Sequence, residues 1–201
     1  MRNTHILVAT LNPGKLKEIQ LFLEPLYIPL LSLEVLPGVE SAPEEGTTFK
    51  ANARQKARHY SRFSKALTIA DDSGLIVDAL HGEPGIYSAR YVSNRATDKE
   101  RNERILSQME DISEPRRSAR FECCIALAQE GQVLEIYRGT LEGFICREPR
   151  GRKGFGYDPI FEVPELNQTL AELDPQKKIR ISHRGQALEK VKIALQGWML
   201  G

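Results

Sequence analysis

The sequence predicts an α/β fold built on a mixed β-sheet, and three observations lead to this prediction. Apolar strands alternate with amphipathic helices through the first half of the chain. Two longer strand patterns joined by a tight turn follow and predict a β-hairpin, which a purely parallel sheet does not contain. An amphipathic helix comes last. Because no repeat, low-complexity tract or linker interrupts the 201 residues, we expect one domain over residues 1–201.

The first elements are a strand–loop–helix unit followed by a second strand and a second helix. Residues 5–10 are apolar and strand-like, residues 11–15 suit a turn, and residues 16–26 have helical spacing. A second strand over residues 30–36 ends at a Pro-Gly pair, and residues 47–63 suit a second helix. The apolar faces of these two helices consist of Leu16, Ile19, Leu23 and Leu26, and of Phe49, Ala53, Ala57 and Tyr60.

The central segment places two short strands around a pair of aspartates. Residues 67–70 form an apolar strand that runs into Asp71 and Asp72. A glycine turn then leads to another strand at residues 75–80. Residues 97–109 suit a helix, because an aspartate in the first turn favours the positive end of the helix dipole.

The second half begins with the hairpin and ends with a helix. Residues 118–129 alternate between apolar and polar side chains, Glu130 and Gly131 turn the chain, and residues 132–146 form the partner strand. Residues 185–199 suit the last helix. The inward-facing positions are Ala119, Phe121, Cys123, Ile125 and Leu127 in the first hairpin strand, and Leu188, Val191, Leu195 and Trp198 in the helix.

Composition excludes several classes of protein. Lys and Arg number 28 and Asp and Glu number 27, which gives a net charge of +1. This argues against a nucleic-acid partner, because a protein that coats nucleic acid is expected to carry a large excess of basic residues. Cys123, Cys124 and Cys146 form neither a disulfide framework nor a Cys-x-x-Cys zinc motif, which favours a reducing, cytoplasmic setting. No segment has the length of a membrane span or of an apolar signal region, so we expect no membrane partner.

The aspartate pair is the most informative feature of the chain. A carboxylate at the end of a buried strand is costly unless something pairs with it. Asp71 and Asp72 therefore suggest an ion site, a catalytic proton transfer, or both. Aspartates also cap helices and open turns, so the pair alone stays ambiguous.

The segment between the first strand and the first helix could bind phosphate. A helix start offers free N–H groups and a positive dipole, and Lys15 adds a point charge. The Walker pattern is not met, because that loop is longer and its lysine precedes Ser or Thr, whereas Leu16 follows here. An ordinary turn with an exposed lysine is the alternative.

Three further segments add charge and an aromatic ring. Glu44 precedes the helix that carries Asn52 and Lys56, where it could be a helix cap or part of a metal site. Residues 154–159, Gly-Phe-Gly-Tyr-Asp-Pro, could stack on a base or plug the core. Residues 177–185 are a basic loop, which is solvated in many proteins. A metal-bound polyphosphate would use carboxylates for the cation and Lys or Arg for phosphate oxygens.

Taken together, the motifs are more specific than any one of them. They are Thr-x-Asn-x-Gly-Lys at 10–15, Thr-Phe-x-x-Asn-Ala at 48–53, Ala-Asp-Asp-Ser-Gly-Leu at 70–75, Pro-Gly-Ile-Tyr-Ser-Ala-Arg-Tyr at 84–91, Gly-Phe-Gly-Tyr-Asp-Pro-Ile-Phe at 154–161 and Ser-His-Arg-Gly-Gln-Ala-Leu at 182–188. In this order they closely resemble the inosine triphosphate pyrophosphatase family, over essentially the whole chain.

The resemblance implies an elongated mixed sheet flanked by helices, two lobes with an active-site cleft between them, and a homodimer. It implies hydrolysis of the non-standard purine nucleoside triphosphates ITP, dITP and XTP to the monophosphate and pyrophosphate, with Mg²⁺. Such an enzyme cleanses the nucleotide pool and prevents misincorporation into DNA and RNA.

The resemblance also implies residue roles. Asp72 would be the general base and a metal-associated carboxylate, with Glu44 as the second acidic partner. Spacing from the Ser-His-Arg motif selects Lys178 rather than Lys177 as the matching lysine. The implied substrate-binding residues are Thr10, Leu11, Asn12, Pro13, Gly14, Lys15, Lys56, Ser73, Phe155, Gly156, Tyr157, Asp158, Lys178, His183 and Arg184.

The chemistry is consistent with these roles. Mg²⁺ favours one or two carboxylates together with phosphate oxygens and waters. A cation beside Asp72 would lower the pKa of its carboxyl, which favours orienting the water over deprotonating it. Two other functions stay open: a related pyrophosphatase with a pyrimidine preference, and a non-catalytic nucleotide-binding regulator. Asp71 is expected to support Asp72, because successive residues of an extended segment point in opposite directions.

Overall fold

The computed structural model describes the backbone of residues 5–200 and the side chains of residues 5–197. Within them, seven strands form one mixed sheet in the order β2-β1-β3-β4-β5-β6-β7, flanked by helices, which confirms the predicted fold class. The strands are β1 Ile6–Val8, β2 Leu30–Leu31, β3 Leu67–Val77, β4 Ser118–Gln129, β5 Gln132–Ile145, β6 Phe161–Val163 and β7 Gln168–Thr169. The α-helices are α1 Pro13–Leu23, α2 Phe49–Tyr60, α3 Asp98–Gln108, α4 Pro175–Ile181 and α5 His183–Leu200.

The sheet combines parallel and antiparallel pairs. Strand β1 runs parallel to β2 and to β3, with Ile6 opposite Leu30 and Leu67. Strands β5, β6 and β7 pair antiparallel. The hairpin turn between β4 and β5 has φ values of 49° at Glu130 and 81° at Gly131. Two successive positive φ values suit the twist of a two-residue hairpin, so the predicted turn is confirmed.

The chain divides into two compact units. Unit 1 comprises the described parts of Met1–Asp72, Cys123–Gly139 and His183–Gly201, and unit 2 comprises Ser73–Glu122 and Thr140–Ser182. Unit 1 contains helices α1, α2 and α5, and unit 2 contains α3 and α4. The prediction of one domain over residues 1–201 stays a prediction. The apolar core of unit 2 includes Leu75, Val77, Ile105, Met109, Phe121, Ile145, Ile160, Phe161, Val163, Leu170 and Leu173.

The predicted faces agree well with burial. The apolar faces of α2 and of the described part of α5 are buried, and Trp198 has a side chain outside the described residues. In β4 the predicted face is buried, but Cys124, Ala126 and Ala128 on the other face are buried too. A central strand is covered on both faces, so simple alternation fails there. Among the described residues, none of the helices combines the length and apolar content needed to cross a membrane.

The predicted glycine turn in the centre of the chain is wrong, because β3 runs without a break through both aspartates. Glycine is needed at position 74 because other residues approach its backbone closely, and not because the chain turns there. A Cβ at this position would lie 2.3 Å from Ser88 Oγ and 2.6 Å from Gly85 O. Ser88 Oγ also accepts a hydrogen bond from Leu75 N at 2.9 Å, so β3 and the 3₁₀ helix Gly85–Arg90 are in direct contact.

Other boundaries differ for local reasons. Strand β2 ends at Leu31 because Ser32 caps a short 3₁₀ helix, where residues 30–36 were expected to be extended. The basic loop contains helix α4, whose start is capped by Asp174 Oδ1 accepting from Lys177 N at 2.8 Å. An aspartate followed by proline is a helix-start signal that the charge pattern concealed. Strands β6 and β7 have three and two residues, too few for a visible pattern.

Candidate active site

The first predicted loop connects β1 to the N-terminus of α1. Asn12 caps the helix, since its Oδ1 accepts from Lys15 N at 3.0 Å, and its own N–H donates to Thr10 Oγ1 at 3.2 Å. Pro13 occupies the first turn, where its missing N–H costs nothing. Leu11 is exposed at the tip and Gly14 lies within the helix. The segment therefore presents a helix N-terminus, as a phosphate-binding loop requires.

Asp71 is a carboxylate whose two oxygens are both engaged. Lys15 Nζ lies 2.5 Å from Oδ1, while Arg184 Nε at 3.0 Å and Cys123 Sγ at 3.1 Å donate to Oδ2. Burial alone would raise the pKa of this carboxyl, but the charges of Arg184 and Lys15 outweigh it and hold the pKa well below its usual range. The Arg184 guanidinium also pairs with Glu18 of α1. Asp71 therefore ties α1, β4 and α5 to strand β3.

Asp72 has a different environment. Its Oδ1 accepts from Lys56 Nζ at 2.7 Å, and its Oδ2 is buried without a hydrogen-bond partner among the described residues. Burial raises the pKa of Asp72, although Lys56 opposes this shift. For Lys56, burial would lower the ammonium pKa, but the charges of Asp72, Asp71 and Glu44 raise it overall. One oxygen of Asp72 is thus held in place while the other remains available.

Glu44 lies close to Lys56 and Asp72 because residues of α2 contact the segment that contains it. Lys56 Nζ lies 3.2 Å from Glu44 Oε1. Two residues later, Gly46 N donates to Asn52 Oδ1 at 2.8 Å. A Cβ at Gly46 would approach Asn52 Oδ1 to 2.6 Å, so the position requires glycine. Asn52, spaced one turn from Lys56 on the same helix, was not among the predicted site residues.

The donor set fits Mg²⁺. No group of three or more His, Cys, Asp or Glu side chains in the described part of the chain could hold a metal ion. Mg²⁺ does not need such a cage, since it keeps several waters and takes one or two carboxylates plus substrate phosphates. The Oδ2 atom of Asp72, which has no hydrogen-bond partner in the described part of the chain, and the exposed Glu44 satisfy this requirement.

Unit 2 contains a second polar group, formed by the aromatic loop and α4. Asp158 Oδ2 accepts from Phe155 N at 2.8 Å and also from Lys178 Nζ. The ammonium of Lys178 lies 4.7 Å from the centre of the Phe155 ring, a cation–π distance. Gly154, with φ of 76°, leaves room for Asp158 Oδ2, which would lie 2.0 Å from a Cβ there. The basic lysine of α4 is therefore a buried partner of the loop rather than a solvated charge.

The other residues of the aromatic loop, Gly156 and Tyr157, form hydrogen bonds with α3 and with Ser88. Tyr157 is buried, and its hydroxyl donates to Ser88 O at 2.9 Å. Gly156 has φ of 63°, donates its N–H to Asp98 Oδ2 at 2.6 Å, and accepts at its carbonyl from Asn102 Nδ2 at 3.1 Å. Asp98 and Asn102 belong to α3 and were not predicted as site residues. The only sequence signal was their spacing of four, which puts them on one helix face.

Most of the predicted residues fall into two groups, each within one unit, whereas Ser73 is the first residue of unit 2. Unit 1 brings together Lys15, Lys56, Glu44, Asp72 and Arg184, with Asp71 at their centre. His183 and Arg184 open α5 and are buried, and Ser73 follows Asp72 along β3. Unit 2 brings together Phe155, Gly156, Tyr157, Asp158 and Lys178. Lys178 is buried and Lys177 is exposed.

A helix N-terminus, a half-satisfied carboxylate and a lysine-backed aromatic ring are the parts that a nucleotide hydrolase of the α/β class uses. A model of the Ham1 family matches residues 6–194, and the chain belongs to that family. This confirms the resemblance inferred from the motifs.

Relatives and solved structures agree with this membership. The chain is 46% identical to the dITP/XTP pyrophosphatase of Desulforamulus reducens, with 92% of each chain covered. It superposes on a HAM1 protein from Coxiella burnetii with a TM-score of 0.86 at 46% identity, covering 97% of this chain and 100% of that one. The Ham1 protein of Staphylococcus aureus gives a TM-score of 0.84 at 36% identity, covering 96% and 98%.

Proposed function

We propose that this protein hydrolyses the non-standard purine nucleoside triphosphates ITP, dITP and XTP to the nucleoside monophosphate and pyrophosphate. Membership of the Ham1 family supports the proposal, as does the near full-length similarity to a dITP/XTP pyrophosphatase. The single observation that carries it is Asp72, one oxygen of which is fixed by Lys56 while the other is buried and has no hydrogen-bond partner within the residues described. Such a carboxylate is prepared for a cation or a water.

In this proposal Asp72 acts on the attacking water and Asp71 does not. Both oxygens of Asp71 lie against other side chains, Oδ1 at 2.5 Å from Lys15 Nζ and Oδ2 within hydrogen-bond distance of Arg184 and Cys123. Asp72 orients the water or accepts its proton as the bond to phosphorus forms and the pyrophosphate leaves. Asp71 keeps Lys15 in position, which makes it a supporting residue.

Mg²⁺ is the proposed cofactor, held by Asp72 and Glu44 together with phosphate oxygens and water. When bound, it would neutralise the phosphate charge and favour departure of pyrophosphate. Lys56 lies within ion-pair distance of both carboxylates, at 2.7 Å and 3.2 Å. It therefore keeps the two acidic side chains next to each other, and its charge offsets their repulsion.

The triphosphate is assigned to the first loop and its lysine. Thr10, Leu11, Asn12, Pro13 and Gly14 carry the backbone that enters α1, and Lys15 and Lys56 supply positive charge near the phosphates. Ser73, directly after Asp72, is a further proposed substrate contact. The lysines are preorganised by ion pairs, so they need little rearrangement when the substrate binds.

The base is assigned to the aromatic group of unit 2, and the resemblance separately implies nucleotide contacts for His183 and Arg184. Phe155 supplies a stacking surface, and Gly156, Tyr157, Asp158 and Lys178 shape and charge its surroundings. Hypoxanthine and xanthine have an oxygen at position 6, which a donor such as Lys178 can bind. Adenine has an amine there and would leave the donor unpaired, which disfavours ATP. Guanine shares the oxygen, so it must be rejected at its 2-amino group.

A substrate panel tests the proposal. ITP, dITP, XTP, GTP, ATP, dTTP and UTP are incubated with the protein and Mg²⁺, and pyrophosphate release is measured. We expect ITP, dITP and XTP to be cleaved with the highest kcat/KM. A preference for dTTP or UTP would support the pyrimidine-specific alternative instead. Binding without release of pyrophosphate from any nucleotide would support a regulatory protein.

Two further predictions belong to this proposal. A homodimer follows from the resemblance, and light scattering of the purified protein would measure its mass. A cytoplasmic location is proposed from the cysteine content, because Cys123, Cys124 and Cys146 form no disulfide within the described residues. Fractionation of cells that produce the protein would test the location.

A further inference from the structure

We infer that Asp98 and Asn102 of α3 are positioning residues that fix the backbone of Gly156 and, through it, the base-stacking ring of Phe155. Asp98 Oδ2 accepts from Gly156 N at 2.6 Å, and Asn102 Nδ2 donates to Gly156 O at 3.1 Å. The two side chains lie one helical turn apart, so one rigid helix face holds both peptide groups of a single glycine. The inference rests on the proposed function only for the identity of the ligand.

The loop needs such a clamp because its glycines give it conformational freedom. Gly154 and Gly156 have φ values of 76° and 63°, which glycine adopts without strain but does not enforce. Asp158 holds the N–H of Phe155, and the Tyr157 hydroxyl bonds to Ser88 O. The peptides between these two anchors are fixed from α3. The ring of Phe155 is attached directly to the clamped backbone.

The environment of Asn102 indicates a specific role more clearly than that of Asp98. It is 5% exposed, and its Oδ1 is buried without a partner among the described residues. Leaving an acceptor unpaired costs free energy, which an apolar side chain of similar size would avoid. The orientation of the amide is fixed, because the flipped form would bring Oδ1 against the carbonyl oxygen of Gly156. Asn102 is therefore used for its N–H donor.

Three variants and one control test the clamp. Asn102→Asp removes the donor without changing the shape, and Asp98→Ala removes the acceptor. Asp98→Asn keeps an oxygen for Gly156 N–H and serves as the conservative rescue. The control is Glu103→Gln on the same helix, where the side chain is 59% exposed and pairs only with Lys99 in a surface ion pair of 3.7 Å.

The first measurement is amide hydrogen exchange of residues 154–158, which requires no activity. We expect exchange to accelerate by about tenfold or more in Asn102→Asp and Asp98→Ala, since each loses a partly buried hydrogen bond to the Gly156 backbone. Asp98→Asn and Glu103→Gln should resemble the wild type. Unchanged exchange in Asn102→Asp, whose folding is checked by thermal unfolding, would overturn the inference. So would equal acceleration in Asp98→Asn and Asp98→Ala.

The second measurement is the kinetics of pyrophosphate release from ITP with Mg²⁺. We expect KM to rise by about tenfold in Asn102→Asp and Asp98→Ala while kcat changes by less than about threefold, because the ring positions the base and not the reacting phosphate. A fall in kcat with unchanged KM would overturn the role in base recognition. If the wild type cleaves no purine nucleotide, the proposed function fails, whereas the exchange measurement still decides whether the clamp exists.

Discussion

Each unit contains a buried lysine–aspartate pair, and the two pairs use their carboxylates differently. In unit 1, Lys56 engages one oxygen of Asp72 and the other oxygen has no partner among the described residues. In unit 2, a single oxygen of Asp158 accepts from both Lys178 and the Phe155 backbone. The first arrangement leaves acceptor capacity for a cation or a water. The second arrangement uses its oxygen to hold the lysine beside the Phe155 ring, and under the proposed function the first pair serves the reaction and the second serves recognition.

Removing divalent cations should have the largest effect and should separate the two pairs. Excess chelator is expected to abolish pyrophosphate release from ITP, and added Mg²⁺ should restore it, because the phosphate charge is then neutralised again. Binding of the monophosphate IMP, measured by calorimetry, should persist in chelator, since base recognition relies on the second pair. Full activity in chelator would contradict the assignment of a cation to Asp72.

Asp72→Asn should have the next largest effect. The amide keeps the shape but loses the charge and the strong acceptor, so we expect kcat for ITP to fall by about 10³-fold. Nucleotide affinity should change far less than kcat, because Lys15 and the aromatic group of unit 2 are unchanged. Stopped assays of pyrophosphate and binding titrations measure the two quantities, and thermal unfolding controls for folding. Unchanged turnover would remove Asp72 from the mechanism.

Asp158→Asn should have a moderate effect of a different kind. The neutral amide holds the ammonium of Lys178 less firmly, so the ring and its cation lose their fixed arrangement. We expect KM for ITP to rise by about tenfold, with a smaller change in kcat. Steady-state kinetics would measure both. A loss of kcat as large as that of Asp72→Asn would show that the two pairs do not divide reaction and recognition as proposed.

Gln55→Ala should have the smallest effect. It tests whether the contacts that matter for Glu44 extend as far as Gln55. The Gln55 side chain accepts from Glu45 N at 3.3 Å in an exposed position, next to the segment that carries Glu44. An exposed hydrogen bond of this length contributes little, so kcat and KM should change by less than about twofold. Steady-state kinetics over a range of Mg²⁺ concentrations provides the measurement. A tenfold change would show that the segment depends on Gln55 as well as on Asn52.

The sequence was most informative where function depends on residues close together in the chain. The Asp71–Asp72 pair, the loop before Lys15 and the Phe155 loop were all recognised from local patterns, and β4 and β5 from periodicity. The helix α4 was missed because a charge run hid the Asp174 cap.

Long-range contacts explain most of what remained. Gly156 and Asp98 are 58 positions apart, and no local rule joins a loop glycine to a helix start at that distance. The continuity of β3 depended on how closely Ser88 approaches Gly74, which tertiary packing decides. The opposite environments of Asp71 and Asp72 followed from strand geometry, but the identity of their partners, such as Cys123 and Glu44, did not.

The uninterrupted course of β3 has a consequence for how mutation can change the protein. Asp71 and Asp72 lie inside a paired strand, so their sides are set by counting along it. Deletion of one residue between Leu67 and Ala70 would shift the register of the strand by one residue. Each of the two carboxylates would then point to the opposite face of the sheet. Substitutions alter such a protein gradually, but a one-residue deletion here would put Asp72 in the place of Asp71 and Ser73 in the place of Asp72 in a single event.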